Sequence, residues 1–180
     1  MKIINVIIIC FVFIMLSTTQ SIVSDEINEQ SPIEVSNDIA ILTLDDMIIP
    51  LGEKDYSLLT IDNVEDLIIA KCYITWNSLV ITLDSFDDST SSFDFVIYID
   101  LPGYLSVTSY KFGMGIDGPV IVGNVSFVPS EGVNVGDWCV INVTPFILWN
   151  ESIQKIPAVG INAIAQIKFI SIDINQSHSE

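Results

Sequence analysis

Apolar and polar side chains alternate strictly over residues 70–76. Ala70, Cys72, Ile74 and Trp76 fall on one face, and Lys71, Tyr73 and Thr75 on the other. A period of two is the pattern of a strand with one face buried. Asn77 and Ser78 break the run, after which Leu79, Ile81 and Leu83 alternate with Val80, Thr82 and Asp84. These two strands define their own register, because a slip of one residue would bury Lys71 and Asp84. Apolar runs of similar length predict further strands at 39–44, 56–62, 93–100, 104–112, 120–128, 137–148 and 161–172. In the stretch 137–148, Cys139, Ile141 and Val143 share one face, with Trp138, Val140 and Asn142 on the other. Asp45-Asp46, Pro50-Leu51-Gly52, Pro102-Gly103 and residues 113–119 are turn material, and 150–157 is a long turn. Gly123 lies inside a strand, a position that marks a bulge. Apolar spacing favours a long helix nowhere. About nine short strands separated by Gly, Pro, Asn and Asp predict an all-β sandwich.

The two ends read differently from this middle. Met1-Lys2, an apolar run over 3–16 and small residues over 17–21 predict a secretory signal peptide at 1–21. Residues 22–37 are acidic and aperiodic, a linker; 38–174 is the folded domain; 175–180 is a polar tail. After signal cleavage no second long apolar run remains to span a membrane. The chain carries 23 acidic residues against 6 basic ones, none of them Arg, for a net charge of −17. Such a surface repels nucleic acid and anionic lipid. It suits either a solubilising coat or the capture of cations. Cleavage leaves Cys72 and Cys139, and in an exported chain a pair is either a disulfide or two separate buried thiols.

Catalytic chemistry has little to work with. The single histidine, His178, stands in the polar tail, so neither a nucleophilic triad nor an imidazole zinc site can be built on the fold. No glycine-rich phosphate cradle is present. Paired carboxylates would need a cleft, which short loops do not offer. Asp84, Asp87, Asp88 and Asp94 form either a calcium loop or a plain charged loop, lacking the glycine and terminal Glu of an EF-hand. No other cofactor is expected. Tyr73, Tyr110 and Trp138 are candidates for ligand contact if they share an outward face. Asn124, Asn142, Asn150 and Asn175 each head an Asn-X-Ser/Thr glycosylation sequon.

The stretch NVEDLIIAKCYITWNSLVITLDSF resembles the cohesin pattern of strand, aromatic, Asn/Asp-Pro-Ser and strand. Trp76-Asn77-Ser78-Leu79-Val80 stands at the corner, without the proline. YLSVTSY at 104–110, a glycine-rich turn, VIVGNVSF at 120–127 and NAIAQIKF at 162–169 are also similar to cohesin segments. The resemblance covers roughly residues 39–174. It implies a nine-stranded jelly-roll-like sandwich, a fold shared with carbohydrate-binding modules, with sheets ordered 5-6-3-8 and 4-7-2-1-9. It implies that the Cys72 and Cys139 strands are the third and eighth, hence neighbours, with a bridge between their inward thiols. It places the binding face on the outer side of the 5-6-3-8 sheet, including Lys71, Tyr73, Thr75, Trp138 and Val140, with Tyr110 as a further aromatic. A glycan on Asn142 would obstruct docking there. The expected function is therefore a non-catalytic extracellular module engaging a dockerin-type protein or a polysaccharide. The alternatives are a carbohydrate-binding module proper and a structural or adhesion surface glycoprotein.

Overall fold

A computed structural model describes residues 39–169. The expected signal peptide, linker and tail, with Asn175 and His178, lie outside the described residues. Eleven strands occur in chain order: β1 (Ala40–Thr43), β2 (Met47–Pro50), β3 (Asp55–Asp62), β4 (Leu67–Thr75), β5 (Ile81–Asp87), β6 (Phe95–Leu101), β7 (Tyr104–Tyr110), β8 (Val120–Pro129), β9 (Trp138–Asn150), β10 (Ala158–Ile161) and β11 (Ala163–Lys168). They form a five-stranded sheet, β10-β1-β3-β8-β5, and a six-stranded sheet, β2-β11-β9-β4-β7-β6.

The difference from nine strands has one cause: the first and last strands each change sheet partway. Ala40 pairs with Ala158 in the five-stranded sheet and Met47 pairs with Ala165 in the six-stranded one. Both pairings are parallel and keep the same sequence offset, 118, that separates Asp46 from Ile164. Asp45-Asp46 is thus a corner within a strand rather than the end of one. Polar side chains satisfy the backbone groups that the corner releases. Ile164 N–H donates to Asp46 Oδ1 at 2.7 Å, and Asp45 N–H to Ser57 Oγ at 2.7 Å. Val143 N–H, left by the departing β10, donates to Asn162 Oδ1 at 3.2 Å. β10 then lies so close to β9 that a Cβ on Gly160 would strike the Val143 carbonyl. With these splits, the order implied by the cohesin pattern is the order found.

The inner faces meet in one apolar core. Leu42, Leu59, Ile61, Val125 and Phe127 come from one sheet and Ile74, Leu105, Val107, Ile141 and Val143 from the other, all buried. The Trp76 ring packs edge-on against Phe127 at 5.0 Å. The alternation of residues 70–76 holds, with Ala70, Cys72, Ile74 and Trp76 buried. That of residues 79–84 holds only from Ile81. Leu79 is 80% exposed in a turn, where its N–H donates to Asn77 Oδ1 and the Val80 N–H to Asn77 O. The corner carries the chain from β4 in one sheet to β5 in the other. The bulge at Gly123 is present as a register shift against Leu59 and Thr60.

The expected disulfide does not form: Cys72 and Cys139 are both free and buried. Their strands, β4 and β9, are indeed neighbours, and both thiols face inward. The register separates them. Cys72 lies opposite Pro145, while Cys139 pairs with Ala165 of β11 on the other side of β9. Six residues of extended chain part them, roughly 20 Å, and Cα atoms beyond about 7 Å cannot be bridged.

Candidate binding face on the six-stranded sheet

The outer side of this sheet is read directly from its register. Facing residues on neighbouring antiparallel strands point the same way. Four cross-strand rows result over β6, β7, β4 and β9: Leu101·Tyr104·Thr75·Asn142; Ile99·Ser106·Tyr73·Thr144; Ile97·Thr108·Lys71·Ile147; and Phe95·Tyr110·Ile69·Trp149. Beyond Asn142 the face continues through Val140·Ile164 and Trp138·Gln166 to Ile48 on β2. All six expected contact residues, Lys71, Tyr73, Thr75, Tyr110, Trp138 and Val140, stand on this one face. They are not one cluster. Tyr110 lies at the Phe95 corner and Trp138 at the opposite end, beside β11.

The centre is aromatic. The Tyr73 ring lies 5.6 Å from Tyr104 and 5.2 Å from Phe146, tilted by 31° and 44°. Phe146 points outward by the alternation of β9, and a register shift opposite Lys71 and Cys72 leaves it as the extra residue and brings Ile147 onto the same face. Lys71 Nζ lies 5.3 Å from the Phe146 ring and 5.6 Å from that of Tyr73. The ring faces attract the ammonium, worth about 0.5–1 kcal/mol at an exposed site. On β6, Phe95, Ile97, Ile99 and Leu101 are 42–57% exposed. Although the chain holds 23 acids, none stands in the four rows. Ten of the sixteen row positions are aliphatic or aromatic, the others are Thr75, Ser106, Thr108, Asn142, Thr144 and Lys71, and Lys71 is the one charge among them.

Sequence reasoning did not find the β6 row, Tyr104 or Phe146. In FVIYI every position is apolar, so its period of two carries no sign and gives no outward face. Phe146 keeps the outward parity of Trp138, Val140 and Asn142, but its place beside Tyr73 and Lys71 depends on pairing across the sheet.

Of the candidate calcium or charged loop, Asp84, Asp87 and Asp94 have partners of their own. Asp84 accepts from Lys54 Nζ at 3.0 Å, and that bond holds its carboxyl below the ordinary range. Asp87 accepts the Ser89 N–H, with the same effect, and Asp88 stands exposed beside it. Asp94 accepts the Phe112 N–H at 2.8 Å and pairs with Lys111 at 2.9 Å; its carboxyl is lowered first by the backbone bond and then by the lysine. Among the described residues no three carboxylate, imidazole or thiol groups converge as metal ligands would. An open hollow lined by Glu65, Asp66 and Asp117 is present at one end, but Asp117 Oδ1 is taken by the Asp66 N–H and all three acids are exposed. It offers none of the burial that tunes a carboxyl for acid catalysis. Of the sequons, Asn142 is exposed on the candidate face opposite Thr75. Asn124 lies in β8 with its Oδ1 buried and unpartnered, and Asn150 Oδ1 closes a turn by accepting the Gln154 N–H. Among the described residues no helix is long and apolar enough to cross a membrane.

Two sheets packed face to face over one apolar core make a β-sandwich. The solved structures it resembles are cohesins. The sixth cohesin of scaffoldin B from Acetivibrio cellulolyticus, solved with a dockerin, superposes with a TM-score of 0.63 at 12% identity, covering 72% of this chain and 99% of that one. A Clostridium thermocellum cohesin, also in a type I dockerin complex, gives 0.61 at 10% identity, with coverage of 72% and 99%. A non-cellulosomal cohesin from the archaeon Archaeoglobus fulgidus gives 0.61 at 11% identity, with 72% and 91%. The chain therefore has the cohesin fold. No protein-family model and no curated protein matches its sequence.

Proposed function

We propose that this chain is a non-catalytic, cohesin-like module that works outside the cell and takes a dockerin-type protein on the outer face of its six-stranded sheet. The observation that carries the reading is the composition of that face. In a molecule of net charge −17, the neighbouring strands β6, β7, β4 and β9 present ten aromatic and aliphatic side chains among sixteen, with no carboxylate among them. Protein interfaces have this make-up at their centres, where charge is depleted and aromatics are enriched. Two of the similar structures named above are cohesins held in dockerin complexes. Export is supported by the apolar leader at 1–21.

Polysaccharide binding is the second reading, favoured by the Tyr73–Tyr104–Phe146 cluster. Those rings are tilted by 31° and 44° rather than laid in a coplanar strip for stacking on sugars, which puts the protein partner first. The deciding experiment is calorimetric titration of the full chain with a panel of purified dockerins, beside retention on insoluble cellulose and xylan. A dockerin should bind, and Tyr73→Asp combined with Phe146→Asp should weaken it at least thirty-fold, about 2 kcal/mol. Asn142→Gln, which removes the sequon on this face, should leave or improve binding. Retention on polysaccharide with no dockerin bound, or dockerin binding indifferent to the double variant, would reject the reading.

A further inference from the structure

A two-layer sandwich has four open edges, and three of them here are protected. β2 is short, ends on Pro50, and the Ile48 N–H is taken by Asp55 Oδ2 at 3.1 Å. β10 is equally short and is pressed by Gly160 onto the Val143 carbonyl of β9. β5 carries a register shift between Leu83 and Ser85 and the charges of Asp84 and Asp87. These are the devices by which sheets avoid pairing with other chains: shortness, proline, cover, bulges and charge. Among the described residues nothing covers the fourth edge, β6, and it has neither proline nor bulge. Its seven residues pair with β7 in unbroken register and contain no Lys, no Pro and a single charge, Asp100.

The hydrogen-bonding direction of that edge is also settled. Asp94 N–H donates to Tyr110 O, so Tyr110 directs its backbone groups toward β6; Lys111 N–H donates to Ile68 O, so Lys111 directs its own toward β4. Alternation along antiparallel strands then turns Phe95, Ile97, Ile99 and Leu101 to β7. The N–H and C=O groups of Val96, Tyr98 and Asp100 are left facing outward from the sheet.

We propose that β6 is a self-association edge, pairing antiparallel with β6 of a second copy about a two-fold axis at Tyr98. This register is the one that uses the whole strand. Tyr98 exchanges both bonds with its counterpart, and Val96 exchanges both with Asp100 of the second copy, so every outward group finds a partner. Ile97 faces Ile99, and Phe95 faces Leu101, which extends the apolar row without interruption. The charge is placed to suit, since each Asp100 meets Val96 and not the other Asp100. A second copy is thus matched residue by residue, which an arbitrary strand is not. The result is one continuous twelve-stranded sheet, and the pairing stands whether or not a dockerin is the partner of the sheet face.

Sedimentation of the full chain over a range of concentrations should show a monomer–dimer equilibrium that tightens with salt, because two acidic bodies repel. Asp100→Pro removes an outward N–H without touching the β7 ladder and should weaken dimerisation at least tenfold. Tyr73→Asp, in the middle of the sheet face, should not. Paired residues on the axis have Cα atoms near 5.5 Å, within disulfide range. Tyr98→Cys alone should therefore cross-link into a dimer on mild oxidation. Val96→Cys or Asp100→Cys alone should not, but a mixture of the two should. The exposed Leu79→Cys serves as the control. A monomer at all concentrations, equal cross-linking of the Leu79 control, or a dimer lost in Tyr73→Asp and kept in Asp100→Pro would each overturn the proposal.

Discussion

Cys72 shows what a single side chain reveals of the whole. Complete burial pushes its thiol up to about 12, so it stays protonated and inert, and burial raises Cys139 as well. Thiol reagents should label neither residue in the native protein and both in denaturant. Cys72→Ala should cost about 1 kcal/mol for lost packing, and the costs of Cys72→Ala and Cys139→Ala should add, as they do for separated sites. A bridge would give the opposite signature, each single change costing as much as the pair. Urea unfolding of the two singles and the double decides it. The inward direction of both cysteines was legible in the alternation of their strands. Their separation was not, because it is set by the register of β4 against β9, with Thr75 opposite Asn142 and so Cys72 opposite Pro145, and neither strand's own alternation records that register. A second residue-scale prediction concerns acid. Asp94 is held below the ordinary value by the Phe112 N–H and by Lys111, so it adds stability above the ordinary aspartate range and loses it as pH falls through its own lowered value. Melting curves taken against pH should show Asp94→Asn less stable than the parent near neutrality and level with it at the acid end.

At the scale of elements, the corners decide most. Strands with one polar face, such as β4 and β9, could be placed from their period alone. Asp45-Asp46 reads as a plain turn because polar residues at a corner within a strand look the same, and the matching corner at Asn162 reads as continuous strand. The difference lies in which distant N–H they serve. Asp46→Ala removes the acceptor for the Ile164 N–H and should destabilise the fold by about 1 kcal/mol, measured as a shift in the urea midpoint at constant slope. β6 was found as a strand but not as part of the binding face. Its apolar residues on both sides reflect a position at the sheet edge, where Tyr98 also covers Phe86 at 5.1 Å.

For the whole molecule, charge is what the packing leaves uncompensated. Seventeen excess negative charges repel one another across the surface while one sheet face stays free of acids. Moderate salt should raise the melting temperature by screening that repulsion, and calorimetry at 20 mM and at 300 mM salt, roughly a four-fold change in screening length, checks it. Fold class was within reach of the sequence because nine short strand patterns with no helical spacing predict a sandwich, whereas the sheet order came from the resemblance to cohesins. The acid-free face was not, since it is assembled from strands far apart in the chain and appears only once their register is known.

The parallel pairing of the broken first and last strands also bears on mechanics. The chain enters at Ala40, beside Ala158, and runs alongside its own end until Pro50 meets Lys168. Entry and exit therefore lie at opposite ends of one parallel pair. Tension applied between them loads the hydrogen bonds of β1–β10 and β2–β11 together in shear, instead of opening them one at a time. A domain strung between two pulled points is thus held by both sheets at once, and the corner at Asp46 and Asn162 is where that load passes from one sheet to the other.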